Sequence, residues 1–217
     1  MDIRELLKAH IYKHGDGSCF TCSFQVEDVV ILDMLRDIKR DIAVIFIDTG
    51  YHFPEVYDFV DKLRREWDIN LKVVRHNMEV KEFEKVYGKL YEKDPDMCCK
   101  LRKVEPLLRE LENYTLWITG LRREQSPTRA NLQIEEHTTL PSGKRIVKLN
   151  PLAFWTWKDV WKYTVDKKIP YLKLYDIGYK SIGCKPCTSL PVDEKNPRSG
   201  RWGGKKLECG IHTFDKE

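Results

Sequence analysis

The chain has 217 residues, long enough to bury a real core and short enough for one domain. With 33% charged and 41% hydrophobic residues it reads as a globular protein, and no apolar run reaches the length that crosses a bilayer, so a membrane partner is not expected. A formal charge of +4 is too small to point to nucleic acid.

The opening MDIRELLKAHIYKH is charged and amphipathic and lacks the apolar stretch and cleavage site of a signal peptide, so the cytoplasm is the expected compartment. Ser18–Ser23 is a short β-like run, and residues 26–39 follow with near-helical apolar spacing. IAVIFI at residues 42–47 is a β-branched run of the kind buried on both faces of a parallel sheet, and Asp48-Thr49-Gly50 ends it. Pro54 opens a helix that continues to Trp67. LKVVR at 71–75 is a third strand, followed by a helix over 79–87 and another from about Cys98 to Leu111. TLWIT at 115–119 is a fourth strand, residues 138–149 read as a hairpin, and Thr156 caps a last helix. Alternating strands and helices imply an α/β fold, a Rossmann-like parallel sheet with helices on both faces and ligands at the carboxyl ends of the strands. One domain over 1–217 is expected, with a flexible tail from about residue 190, where Gly, Pro and Lys dominate.

Seven cysteines is an odd number, and disulfides do not persist in a reducing cytosol, so metal ligation or catalysis is the useful expectation. They fall as Cys19/Cys22, Cys98/Cys99, Cys184/Cys187 and the solitary Cys209. Residues three apart along a strand point to opposite faces, which sets Cys19/Cys22 aside as a ligand pair. The other two pairs suit zinc or a [4Fe–4S] cluster, and spacing alone does not separate these from unligated core cysteines. A helix start at Cys98-Cys99 would stabilise thiolates, helped by Lys100, Arg102 and Lys103.

Cys209 lies in Glu-Cys-Gly-Ile-His, just after the acid-free segment KNPRSGRWGGKK. Lys205, Lys206 and His212 would lower its pKa, and Gly203, Gly204 and Gly210 would let it swing. The competing account is an incidental cysteine on a frayed, solubilising tail. Two loops suit an anion. Ser23-Phe24-Gln25 leads from a strand into a helix N-terminus but lacks the glycines of a Walker loop. Gly120 to Arg129, GLRREQSPTR, places Arg122, Arg123 and Arg129 just past a strand's carboxyl end. Ordinary turns and a surface charge run are the bland readings of the two.

SFQVEDVVILDM, IDTGYHFPEVYDFVDKL, CCKLRKVEPL, TGLRREQSPTRA and GRWGGKKLECGIH together resemble the adenylyl-sulfate reductases, assimilatory relatives of PAPS reductase, over about residues 18–212. The resemblance implies an adenine nucleotide α-hydrolase-like fold and a [4Fe–4S] cluster on Cys98, Cys99, Cys184 and Cys187. It implies that Cys209 attacks the sulfur of adenylyl sulfate (APS), expels AMP and carries an S-sulfonate that thioredoxin or a similar dithiol releases as sulfite. Ser23, Phe24 and Gln25 would cradle the phosphate, and Asp48, Thr49, Gly50 and Gly120 would lie near the adenosine. Arg122, Arg123 and Arg129 would bind sulfate and phosphate, with Arg201, Lys205, Lys206 and His212 arriving on the tail. Lys103, one helical turn past Cys99, would bridge the cluster region and the substrate. Cys22 and Gln25 depart from the family's loop, and Cys19/Cys22 has no family role. With no redoxin domain in the chain, a separate reductant is expected; a homo-oligomer is left open. The competing functions are PAPS reduction, an ATP-using tRNA sulfurtransferase of the same fold, whose ATP loop is missing at Ser23–Asp28, and a zinc-stabilised nucleotide-binding module.

Overall fold

The computed structural model describes residues 2–193, 196–204, 206, 208–212 and 214. Six strands form one sheet: β1 (Ser18–Thr21), β2 (Ala43–Asp48), β3 (Leu71–Arg75), β4 (Leu116–Ile118), β5 (Glu135–Thr139) and β6 (Arg145–Leu149). Their order is β3-β2-β1-β4-β6-β5. All neighbours run parallel except β5 and β6. The parallel sheet and the hairpin expected from the sequence meet at this edge: the hairpin turns the chain around, and its second strand, not its first, joins β4.

Hydrophobic periodicity explains the layers. Phe20 and Cys19, adjacent on β1, are both fully buried but in different cores, Phe20 on one face of the sheet and Cys19 on the other. The larger core is closed by α1 (Ile3–His14), α2 (Val26–Ile38), α3 (Pro54–Trp67) and α8 (Trp157–Asp166). Every residue of α2 from Val26 to Leu32 is buried, so this helix is enclosed on all sides, acids included. Between β3 and β4 lie α4 (Val80–Tyr87), α5 (Leu90–Lys93), α6 (Pro95–Cys99) and α7 (Glu105–Leu111). The second face is closed by α7 and by the chain's end, whose Ile211 and Phe214 pack against this smaller core. Among the described residues no helix is long and apolar enough to cross a membrane.

The sheet order places β1 at the switch point: the chain steps outward through β2 and β3, then returns to β4 on the other side of β1. The crevice at the carboxyl ends of β1 and β4 is where such sheets bind ligands. The described residues of the tail fold back onto this crevice. Thr188 bridges Arg201, the Ser189 amide donates to the Gly200 carbonyl at 2.8 Å, and Trp202 is buried.

One local signal holds α8 in place. The Thr156 hydroxyl accepts from the Asp159 amide at 3.1 Å while the Thr156 amide donates to Asp159 Oδ2 at 2.8 Å. Thr156→Ala is expected to lower the unfolding free energy by about 1 kcal/mol, read as a lower urea midpoint with an unchanged slope.

Candidate functional site

A cavity of about 390 Å³ opens at the carboxyl ends of β1, β2 and β4. The body contributes Ser23, Asp28, Gly120 and Arg129 to its wall, and the chain's last part contributes Arg198, Arg201, Cys209 and His212.

The loop after β1 does not use glycine to turn. Phe24 takes the left-handed conformation (φ 58°) and drives its ring into the core, 5.7 Å from Phe46 and 6.5 Å from Phe59. Expected as part of a phosphate cradle, the Phe24 side chain instead anchors the loop and does not line the cavity. Ser23 does not cap α2 in the ordinary way: Gln25 is the N-cap residue, with no side-chain cap bond. The Ser23 amide and hydroxyl both donate to Asp28 Oδ2 at 2.6 Å. Gln25 donates to Ser23 Oγ at 3.2 Å and accepts from the Ile182 amide at 2.7 Å, tying the loop to the chain beyond α8. A Cβ on Gly120 would run into Asp28 Oδ1, so glycine is required there. Burial raises the Asp28 carboxyl to about 7, and the Ser23 bonds offset only part of that.

The arginines after β4 divide three ways. Arg122 is buried and donates to Glu27 Oε1 at 2.9 and 3.2 Å and to Glu124 at 2.8 Å, so its charge is largely matched within the protein. Arg123 donates to the Leu132 carbonyl at 2.7 Å, lies 4.0 Å over Phe154 and does not line the cavity; as a sulfate ligand it is corrected. Arg129 forks onto Glu208, with Nη2 to Oε2 at 2.6 Å and Nε to Oε1 at 2.9 Å, and also bonds Gln125. Sequence reasoning gave no role of their own to Glu27, Asp28, Arg198 and Glu208. The enclosed α2 was a usable signal, because acids in a helix apolar on every side must be buried and partnered.

Cys209 is half-buried between two anchors. On one side Glu208 is held by Arg129 and by the Thr128 hydroxyl at 2.8 Å. On the other, His212 stacks on Trp117 at 5.4 Å between centroids. Burial and Glu208 raise the thiol, but Lys103, the Ile211 amide and Arg198 outweigh them, leaving Cys209 below its ordinary value. Arg201 is buried 4.5 Å from Trp202, in space that a Cβ on Gly183 would fill. Lys206 pairs with Asp96 and sits 5.4 Å over Trp202, away from the cavity wall. Lys205 lies outside the described residues.

Cys98, Cys99, Cys184 and Cys187 line one small neighbouring cavity, together with Thr49, Arg102 and Lys103. Two segments some 85 residues apart are brought together here; the Lys185 amide donates to the Tyr51 carbonyl at 2.7 Å, and Thr49 Oγ1 lies 3.3 Å from Cys184 Sγ. Two expectations are corrected. The helix begins at Pro95, capped by Asp94, so the Cys98 amide is already bonded to the Asp94 carbonyl at 3.0 Å rather than free for an anion. Asp48, Thr49 and Gly50 do not line the large cavity: Asp48 accepts from the Gly50 amide and Tyr57 hydroxyl, both at 2.8 Å, and Thr49 faces Cys184. After Cys99 the helix widens into a π turn over Lys100–Val104, and Lys103 lines both cavities. Burial and mutual proximity push Cys98 up to about 12, and burial pushes Cys99 to about 11. Among the described residues, no three His, Cys, Asp or Glu side chains are grouped so as to hold a metal ion. Cys19 and Cys22 are buried in opposite cores, away from this group.

The family model described as the phosphoadenosine phosphosulfate reductase domain matches residues 18–190. An adenosine 5'-phosphosulfate reductase of Geobacillus kaustophilus (strain HTA426) is 42% identical over 203 residues, covering 92% of this chain and 85% of the relative. Adenosine 5'-phosphosulfate reductase 2 of Bacillus subtilis (strain 168) is 38% identical over 98% of this chain and 90% of its own. Among solved structures, the phosphoadenylyl-sulfate reductase of Candida auris, in a phosphate complex, superposes with a TM-score of 0.75 at 33% identity, covering 85% of this chain and 89% of that one. A U34-tRNA thiolase of Methanococcus maripaludis, solved with its [4Fe-4S] cluster, shares the fold at a TM-score of 0.54 and 16% identity, covering 78% and 63% of the two chains.

The buried Asp28 carboxyl makes a pH prediction. Its folded value of about 7 lies above the ordinary 3.8, so between these values the folded chain holds a proton that the unfolded chain has lost. Stability therefore falls as pH rises through this window, by at most about 1.4 kcal/mol per pH unit. Asp28→Asn is expected to remove this one-proton slope in urea unfolding series across the window. Equal slopes in the two proteins would mean that Asp28 is ionised throughout.

Proposed function

The chain belongs to the phosphoadenosine phosphosulfate reductase family, and we propose that it works by attack of Cys209 on the sulfur of adenylyl sulfate. The relatives' activity, over 92% of the chain, makes it an oxidoreductase that converts adenylyl sulfate to sulfite and AMP. One observation carries the mechanism: a thiol of lowered pKa stands with Lys103, Arg129, Arg198 and Arg201 on a single cavity at the sheet's switch point.

The thiolate of Cys209 attacks the sulfuryl sulfur, forming an S–S bond as the S–O bond to the phosphate breaks. AMP leaves with the bridging oxygen, and Cys209 carries an S-sulfonate. Thiolate and sulfuryl group are both negative, so cations at the meeting point are what lower the barrier. A thiolate of thioredoxin or a similar dithiol then attacks Cys209 Sγ and expels sulfite. Its second thiol resolves the mixed disulfide and regenerates Cys209, so the dithiol supplies both electrons. For that exchange the tail, from about residue 190, opens. We read the chain as one domain working in the cytoplasm, where such a dithiol pool is maintained.

Cys98, Cys99, Cys184 and Cys187 fit a [4Fe–4S] cluster. The cavity is lined by four thiols and by no carboxylate or imidazole, and a cluster takes one thiolate per iron, so it does not need three ligands converging on a single ion. When bound, such a cluster would order this corner and, being net negative with its four thiolates, would favour the charged form of Lys103. Lys103, held up in pKa by Cys184, Cys99 and Cys209 despite burial, stays charged and presents its own positive charge to the substrate's anion.

The test is turnover of adenylyl sulfate against its 3′-phosphorylated form with a dithiol reductant. Wild type is expected to prefer adenylyl sulfate and to contain iron and labile sulfide in equal amounts. Cys209→Ser should abolish sulfite release while retaining the iron; Cys184→Ser should lose the iron. Preference for the 3′-phosphorylated substrate, or zinc in place of iron, would overturn the corresponding part of the reading.

A further inference from the structure

The arginine best placed to meet an incoming sulfuryl group is already holding a carboxylate. Of the three arginines after β4, Arg122 is matched by Glu27 and Glu124, and Arg123 faces away from the cavity. Arg129 alone among them reaches the segment that carries the nucleophile, through both carboxylate oxygens of Glu208. A guanidinium fork of this geometry accepts carboxylate, sulfate and phosphate alike. Thr128 adds a hydroxyl at 2.8 Å, and Arg198 lies 3.9 Å from Glu208 Oε2, so the carboxylate sits in a ready-made pocket for an anion. Both partners of the pair are largely shielded from solvent, with side-chain exposures of 11% each.

We propose that Glu208 is a positioning residue that occupies the substrate's anion site before binding, and that the sulfate end of adenylyl sulfate displaces it from Arg129 and Thr128. This rests on the reading of Cys209 as the nucleophile. Glu208 immediately precedes Cys209, so moving its carboxylate moves the backbone that bears the thiol, while His212 on Trp117 keeps the other side anchored. Arrival of the anion thus couples directly to the position of the nucleophile, and the cations remain neutralised in the resting enzyme instead of facing a buried void. The occupant of the fork changes from an internal carboxylate to the substrate's sulfate, with no net change in its charge-pairing.

Glu208→Gln tests this in the intact chain. The amide keeps the size but gives up the charge that competes for Arg129. Apparent KM for adenylyl sulfate is expected to fall by roughly three- to tenfold, and inorganic sulfate is expected to become a correspondingly stronger competitive inhibitor. Glu208→Ala, which removes the same charge, should shift both constants in the same direction, and Glu208→Asp, which keeps it, should leave them near the wild-type values. If Glu208→Gln does not fold, the contrast between Glu208→Ala and Glu208→Asp decides. A residue that merely held the fold would lower kcat or raise KM, and would leave sulfate inhibition no stronger. Unchanged or raised KM with unchanged sulfate inhibition overturns the proposal while wild-type turnover stands. A wild type inactive on adenylyl sulfate would instead overturn the reading on which the proposal rests.

Discussion

Lys103 stands between two groups of sulfur, and the arrangement of the site follows from where that one ammonium is held. It lines the cavity of the four cysteines and the cavity of Cys209 at once. An amine in this setting loses hydration, and only the surrounding sulfurs, Cys184, Cys99 and Cys209, keep it charged. The π turn over Lys100–Val104 provides the placement, because it widens the helix where the backbone passes between the cysteine pair and the sheet. Arg102, one residue earlier, turns the other way and donates to the Thr49 carbonyl at 2.6 Å, fixing the helix to the end of β2.

Around that cation the protein separates charges that serve structure from charges that face the ligand. Glu27 and Arg122 meet inside the protein across 95 residues of sequence and join the start of α2 to the loop after β4. Asp28, beside them, is satisfied by Ser23, and burial raises its carboxyl to about 7, so it carries less negative charge on the cavity wall than an ordinary aspartate would. Apart from Glu124, which pairs with Arg122, the other charged side chains described on the wall are positive: Lys103, Arg129, Lys180, Arg198 and Arg201. Trp117 fixes the far side of the site, bonded through Nε1 to Thr21 at 2.9 Å while His212 stacks on its face.

The sheet was legible because its information is local. β-branched runs, Pro54 at a helix start and Thr156 with Asp159 at another each act within a few residues, and the structure places those elements within a few positions of the expected bounds. The separation of Cys19 from Cys22 followed from strand alternation alone. The gathering of Cys98, Cys99, Cys184 and Cys187 is a tertiary fact that the pairing of thiols had foreshadowed. What stayed hidden depends on partners far away in sequence. Arg123 and Arg129 are alike in the sequence, and only the fold turns one toward Phe154 and the other toward Glu208. Phe24 occupies a position where a phosphate loop would use glycine, and its left-handed backbone is tolerated because Phe46 and Phe59 hold its ring. Which strand of the hairpin joins β4 was hidden too, since a hairpin motif does not say so.

The central claim is that Cys209 bonds to the sulfur of the substrate. It is tested most directly by mixing the purified protein with adenylyl sulfate bearing labelled sulfur, omitting any dithiol, and mapping the label by peptide mass spectrometry. The account predicts one labelled sulfonate per chain, on Cys209, formed together with AMP and lost on adding thioredoxin. AMP release without label on Cys209, or label on another cysteine, would contradict it.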